Sequence, residues 1–154
     1  MKKYVLLIIL IITSFSAYSE PLKKGKFEIG GVPVEVWGHY NIKHMLFPGE
    51  TWVFNVIVVP ADTRQGDLID IAKEFYRKYP KTRARFFSDT LHIKQYVERD
   101  IYMNDKTGKA KKVEFPDSKW VQNHLLGNIN NRSKKYNRAW MLEDRYGNRI
   151  ELLK

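Results

Sequence analysis

Arg83 and Arg85 offer the clearest chemistry in this sequence. They alternate with Thr82, Ala84 and Phe86 in the run TRARFF (82–87), and alternation along an extended strand puts both guanidinium groups on one side. Two planar forks held two residues apart by a strand suit a carboxylate, phosphate or sulfate, each of which can be gripped bidentately. A second basic cluster holds Lys109, Lys111 and Lys112 beside Lys106, and a third holds Lys134 and Lys135 between Arg132 and Arg138. Tyr79, Phe87, Tyr102 and Tyr136 fall close to these charges, so cations are interleaved with rings able to stack on bases or sugars. The competing account of the clusters is a solvated surface whose lysines keep loop tips soluble. The expected set of anion- or partner-binding residues is therefore Arg83, Arg85, Lys109, Lys111, Lys112, Lys134 and Lys135.

Other residue types support weaker cases. No two of His39, His44, His92 and His124 stand four residues apart, and no HExxH occurs, so the helical zinc-protease spacing is missing. His39 and His44 have Glu35 and Glu50 nearby, but two ligands in a loop do not fix a metal geometry. Ser88 follows a predicted strand, with Asp89 and His92 beside it. Strand ends are where α/β proteins build sites. Triads, however, draw their members from distant segments, and Ser88-Asp89-Thr90 is read more economically as a helix cap. Asp67, Asp70, Asp100 and Asp105 do not define a glycosidase pair, which needs a set separation across a cleft. The chain has no Cys, which removes disulfides, thiolate nucleophiles and Cys-based zinc sites. No P-loop, GxGxxG or GxSxG occurs, and Gly30-Gly31 precedes a strand rather than a helix, so no phosphate-cradling helix start is built there. No catalytic residue, metal or cofactor is expected.

The elements that must position these residues follow from periodicity. Phe27-Glu28-Ile29 and residues 32–37 flank Gly30-Gly31, which reads as a hairpin, with Pro33 placing its second strand at an edge. Residues 51–59 (TWVFNVIVV) are β-branched or aromatic almost throughout, the mark of a strand buried on both faces. Leu68, Ile69, Ala72, Phe75, Tyr76 and Tyr79 recur at helical spacing before Pro80, with Asp62 or Thr63 as the cap. TRARFF then completes a β-α-β unit, since the intervening stretch is long enough for a parallel crossover. Asp89 leads a short helix through Leu91, Ile93, Tyr96 and Val97, and a turn or weak hairpin is expected around Asp105. A third helix is expected to run from Asp117 or Ser118 through Trp120, Val121, His124 and Leu125 to Ile129. Residues 138–144 and 148–153 form a second hairpin across Arg145-Tyr146-Gly147. The fold expected is α+β: one mixed β-sheet with a β-α-β unit, terminal hairpins and helices mainly on one face. Its core should include Val56, Val58, Leu68, Ala72, Phe75, Tyr76, Trp120, Leu125, Trp140 and Leu142.

Lys2 and Lys3 precede an apolar run, Val5 to Ile12, and Ala17-Tyr18-Ser19 stands before Glu20. That order reads as a secretory signal over residues 1–19, leaving a single globular α+β domain over 20–154 and a periplasmic or secreted location. The run falls short of the roughly 20 apolar residues that span a bilayer, so no stable membrane span is expected after cleavage. The whole chain of 154 residues carries a net charge of +10, which favours anionic partners. Together these features predict an exported, non-enzymatic binding protein that recognises an acidic macromolecule, as an envelope accessory, inhibitor or immunity-type protein would. Its partner would be an acidic protein or an anionic envelope polymer; the absence of nucleic-acid-binding signatures and the export signal argue against nucleic acid. The alternative is a small exported hydrolase acting on an envelope polymer. A cleft where one of the four histidines meets a carboxylate or Ser88 would favour that alternative.

Overall fold

A computed structural model of the chain describes residues 21–43, 51–98 and 118–154. Seven strands lie side by side in chain order: β1 (Gly25–Ile29), β2 (Val32–Lys43), β3 (Thr51–Val58), β4 (Arg83–Phe87), β5 (Leu125–Asn130), β6 (Met141–Glu143) and β7 (Arg149–Leu152). Only β3 and β4 run parallel; every other neighbouring pair is antiparallel. The parallel pair is joined by α1 (Gln65–Lys78), while α2 (Ile93–Glu98) and α3 (Ser118–His124) lie between β4 and β5. The fold is α+β, with the β-α-β unit and both terminal hairpins in place. Among the described residues no helix is long and apolar enough to cross a membrane.

Strand β3 explains the layering. Phe54 and Val56 point to one face and Ile57 to the other, and both sets are buried. On the first face α1 lays Leu68, Ile71, Ala72 and Phe75 against Val34, Ile57, Phe86, Ile129 and Leu142. On the second, Ile93 and Tyr96 of α2 and Trp120 of α3 cover Tyr40, Val56 and Phe87. The long helix thus takes one face as expected, and two short helices close one end of the other. Of the expected core, Val56, Leu68, Ala72, Phe75, Trp120, Leu125 and Leu142 are buried, whereas Val58, Tyr76 and Trp140 are half-buried against it.

Three local departures from the sequence reading have identifiable causes. First, α3 stops at His124, and Leu125–Asn130 is strand β5 rather than a continuing helix. Leu125 and Ile129 are four apart and mimic a helical face, but Leu125 faces the second layer and Ile129 the first. Gly127 allows the close packing: a Cβ there would stand 3.0 Å from the Glu143 carbonyl and 3.2 Å from Leu68 of α1. Second, β2 continues through His39 to Lys43, so His39 is a strand residue. The register shifts between Val36 and Gly38, and this bulge reverses which parity faces α1: Val34 and Val36 before it, His39 after it. Gly38 sits there with φ +145°, where a Cβ would come within 2.7 Å of Val97 on α2. Third, β1 rather than β2 is the outer strand, but Pro33 pairs with Glu28 of β1 before the β3 ladder begins at Glu35, so its missing N–H faces no β3 partner.

At the start of α1 the Asp67 carboxylate accepts from the Arg64 N–H (3.1 Å), and Thr63 donates its hydroxyl to the Pro60 carbonyl (2.7 Å). The expected cap at Asp62 or Thr63 is thus replaced by an acidic residue reaching back from the first turn. The final hairpin is shorter than expected. Residues before Met141 form a 3₁₀ turn (Lys134–Tyr136) and two left-handed residues, Asn137 and Arg138.

Candidate anion-binding site

In the parallel register Arg83 pairs with Phe54 and Arg85 with Val56, so both arginines stand on the second face as alternation requires. What surrounds them is aromatic. The Arg85 guanidinium lies 5.5 Å from the Tyr40 and Phe54 ring centres and 6.0 Å from that of Tyr96, within cation–π range. Its Nη1 donates to the Tyr96 hydroxyl, and its buried Nε has no hydrogen-bond partner among the described residues. No described carboxylate pairs with it. Burial works against the charge, but the interactions with Tyr40 and Tyr96 outweigh it and hold the pKa above the ordinary arginine value. Arg83 lies 5.1 Å from the Trp52 ring centre and 5.3 Å from that of Trp140, and donates to Asn131 Oδ1 (2.8 Å). Arg132 stacks on Trp52 as well, at 4.9 Å.

Beyond the cover of α2 and α3 the second face opens into a depression of about 370 Å³, with Phe54 and Arg85 at one side and Asn128, Asn130, Arg132, Glu143 and Arg145 around it. Strand register builds this lining: Asn128 pairs with both Arg85 and Glu143, and Asn130 follows on the same side. Glu143 is only 7% exposed and accepts from Asn130 Nδ2 (2.7 Å). Asn130 Oδ1 accepts from the Arg132 N–H (3.0 Å) and fixes where that residue leaves the strand. Asp144 organises the far rim. Its Oδ1 accepts from the N–H groups of Tyr146 and Asn148, both at 2.8 Å, which presents Arg145 and Tyr146 at the opening. Burial raises the Asp144 pKa, but the hydrogen bonds from Asn148, Tyr146 and Gly147 outweigh it and leave the value below the usual carboxylate range.

The site therefore contains one of the expected arginines, Arg85, and adds Arg132 and Arg145. Arg83 stands next to it on the same strand face, held by its own tryptophans. Lys134 and Lys135 lie exposed on the 3₁₀ turn and do not line the depression. Lys109, Lys111 and Lys112 lie outside the described residues, as do His44 and the turn expected around Asp105. Asn128 and Asn130 were hidden from a sequence reading because residues 125–130 look helical; Glu143 falls within the expected final hairpin, and only the strand pairing brings it to the site. Read as a strand, LLGNIN puts both amides on one side, and that alternation was the available signal.

A second polar group forms at the C-terminal end of β4. Ser88 Oγ lies 3.3 Å from His124 Nδ1, and the Ser88 N–H donates to the His124 carbonyl (3.0 Å). Asp89 accepts from the Leu91 N–H (3.0 Å) and the Trp120 indole N–H (2.6 Å). The indole bond is the chief cause of an Asp89 pKa below the usual range; burial opposes it. The Asp89 carboxylate thus shapes the turn into α2 and anchors α3, close to the capping role expected of it. His92 meets the Trp120 ring edge-on at 5.7 Å. Among the described residues no cluster of His, Asp and Glu could hold a metal ion. No protein-family model matches the chain, and no curated protein sequence or solved structure is significantly similar to it.

Proposed function

We propose that this chain is an exported, non-enzymatic binding protein that recognises an acidic macromolecule through the depression around Arg85. The observation that carries the reading is a half-buried guanidinium, its Nε shut away from solvent, with no carboxylate partner among the described residues, opening beside Arg132 and Arg145. A cation placed in a protein interior is ordinarily paired with an acid. Here rings hold it, and the side facing the depression is left for an anion. The net charge, +10 for the whole chain and +8 once Lys2 and Lys3 are removed with residues 1–19, adds long-range attraction for an acidic protein or an anionic envelope polymer. Export to the periplasm or beyond rests on the leader-like order of residues 1–19, and mass spectrometry of exported protein should find a chain beginning at Glu20. An intact N-terminus in the membrane fraction would refute it.

The binding test is a pulldown from the envelope fraction with a salt-gradient elution, repeated with Arg132→Glu/Arg145→Glu. Binding should weaken as salt rises and fall by about tenfold or more in the folded double variant. Unchanged retention would overturn the reading. The hydrolase alternative draws on one observation, the Ser88–His124 contact. It predicts that envelope-polymer hydrolysis by the purified protein disappears in Ser88→Ala, and absence of any wild-type hydrolysis removes it.

A further inference from the structure

We infer that the depression takes the free C-terminal end of a polypeptide, its carboxylate on the arginines and the neighbouring amide N–H on Asn128 and Glu143. This rests on the binding reading above and narrows its partner to one chemistry. The depression is not simply cationic. Asn128 is 8% exposed, lines the cavity, and its Oδ1 has no hydrogen-bond partner among the described residues. Its orientation is set by Nδ2, which reaches the Asp144 carbonyl at 3.4 Å; turning the amide over would set two acceptors against each other. Glu143, also buried, adds a carboxylate of which one oxygen takes Asn130 Nδ2. A buried acceptor left without a donor is costly, so the ligand that fits brings an N–H as well as an anion.

A polypeptide end carries both groups on one Cα, and end-carboxylate capture is a known recognition mode. A polyphosphate or nucleic-acid backbone supplies anions without adjacent N–H donors. It would leave Asn128 Oδ1 unpaired and press further negative charge against Glu143. The cavity, about 370 Å³, lies at the small end of ligand sites, which run from about 300 to 1,000 Å³. That is room for a terminal residue or two, not for a folded segment.

The test uses the purified full chain, ¹⁵N-labelled, and three probes: an N-acetylated tripeptide library with free C-termini, the same library with amidated C-termini, and inorganic pyrophosphate. The free-acid library should shift the side-chain amide signals of Asn128 and Asn130, and the amidated library should bind about tenfold more weakly or worse. Arg145→Gln, an exposed substitution that leaves the fold intact, should weaken the free-acid response, and Asn128→Asp should weaken it further by setting an anion against the ligand. Equal response to both libraries overturns the inference. So does a response to pyrophosphate alone, which would leave the acidic-partner reading standing. No response to any probe at the Asn128 and Asn130 signals overturns both, because the depression then binds no anion.

Discussion

Asn55 is a polar residue in the middle of the most apolar strand, and its side chain is fully buried. Its Oδ1 accepts from the Leu22 N–H (2.9 Å) and its Nδ2 donates to the Arg83 carbonyl (3.1 Å), so one amide ties the N-terminal segment to the strand that carries the arginines. Asn55→Leu keeps the volume while orphaning both backbone groups. It should cost about 1–3 kcal/mol in urea denaturation; a cost near zero would mean that neither bond matters. Asp89 makes a pH-dependent contribution. Its pKa is lowered chiefly by the Trp120 indole N–H, so its stabilisation is fully present above the ordinary carboxylate value of about 3.9. That stabilisation is lost as pH falls through the lower folded-state value. Asp89→Asn should therefore lower the denaturation midpoint at neutral pH, and the gap from wild type should close as the pH falls through the lowered folded-state value. A gap constant with pH would show that the carboxylate's charge is not what stabilises α3.

At the scale of elements, Gly127 of β5 packs tightly against both α1 and β6. Gly127→Ala would push a methyl group against the Glu143 carbonyl, Leu142 and Leu68, and a backbone oxygen cannot move aside as a side chain can. We expect a loss of about 1–3 kcal/mol from overpacking, measured as a shift in denaturation midpoint at unchanged m-value. The same position explains what the sequence concealed. Strand β3, helix α1 and the Gly30-Gly31 turn were legible because each has an undiluted local signal: β-branched runs, a three-to-four period, two positive-φ glycines. Strand β5 has none, since Gly127, Asn128 and Asn130 all disfavour strands and only burial between two layers makes them one. Misreading that segment as helix also hid two amides of the site. Arg83 and Arg85 were visible by alternation alone, but the rings around Arg85 come from β2, β3 and α2, which are far apart in the chain. No local pattern could have gathered them.

Across the molecule, packing and chemistry are largely divided between the two sides of the sheet. The first face is closed by α1 around Phe75, which has no exposed surface and meets Phe86 edge-on at 5.9 Å. Phe75→Ala should cost about 3–5 kcal/mol. Arg145→Gln, on the open rim of the second face, should stay within about 0.5 kcal/mol of wild type. Urea unfolding of the two variants measures the contrast, and a stability loss at Arg145 comparable to that at Phe75 would show that the rim supports the fold. The strand order has one more consequence. Because every strand pairs with its predecessor in the chain, the ordering entropy is met in short instalments rather than by one distant closure. Assembly can therefore be vectorial: a polypeptide emerging end first from a ribosome finds each new strand's template already in place, and the C-terminal hairpin completes the sheet without being needed to begin it.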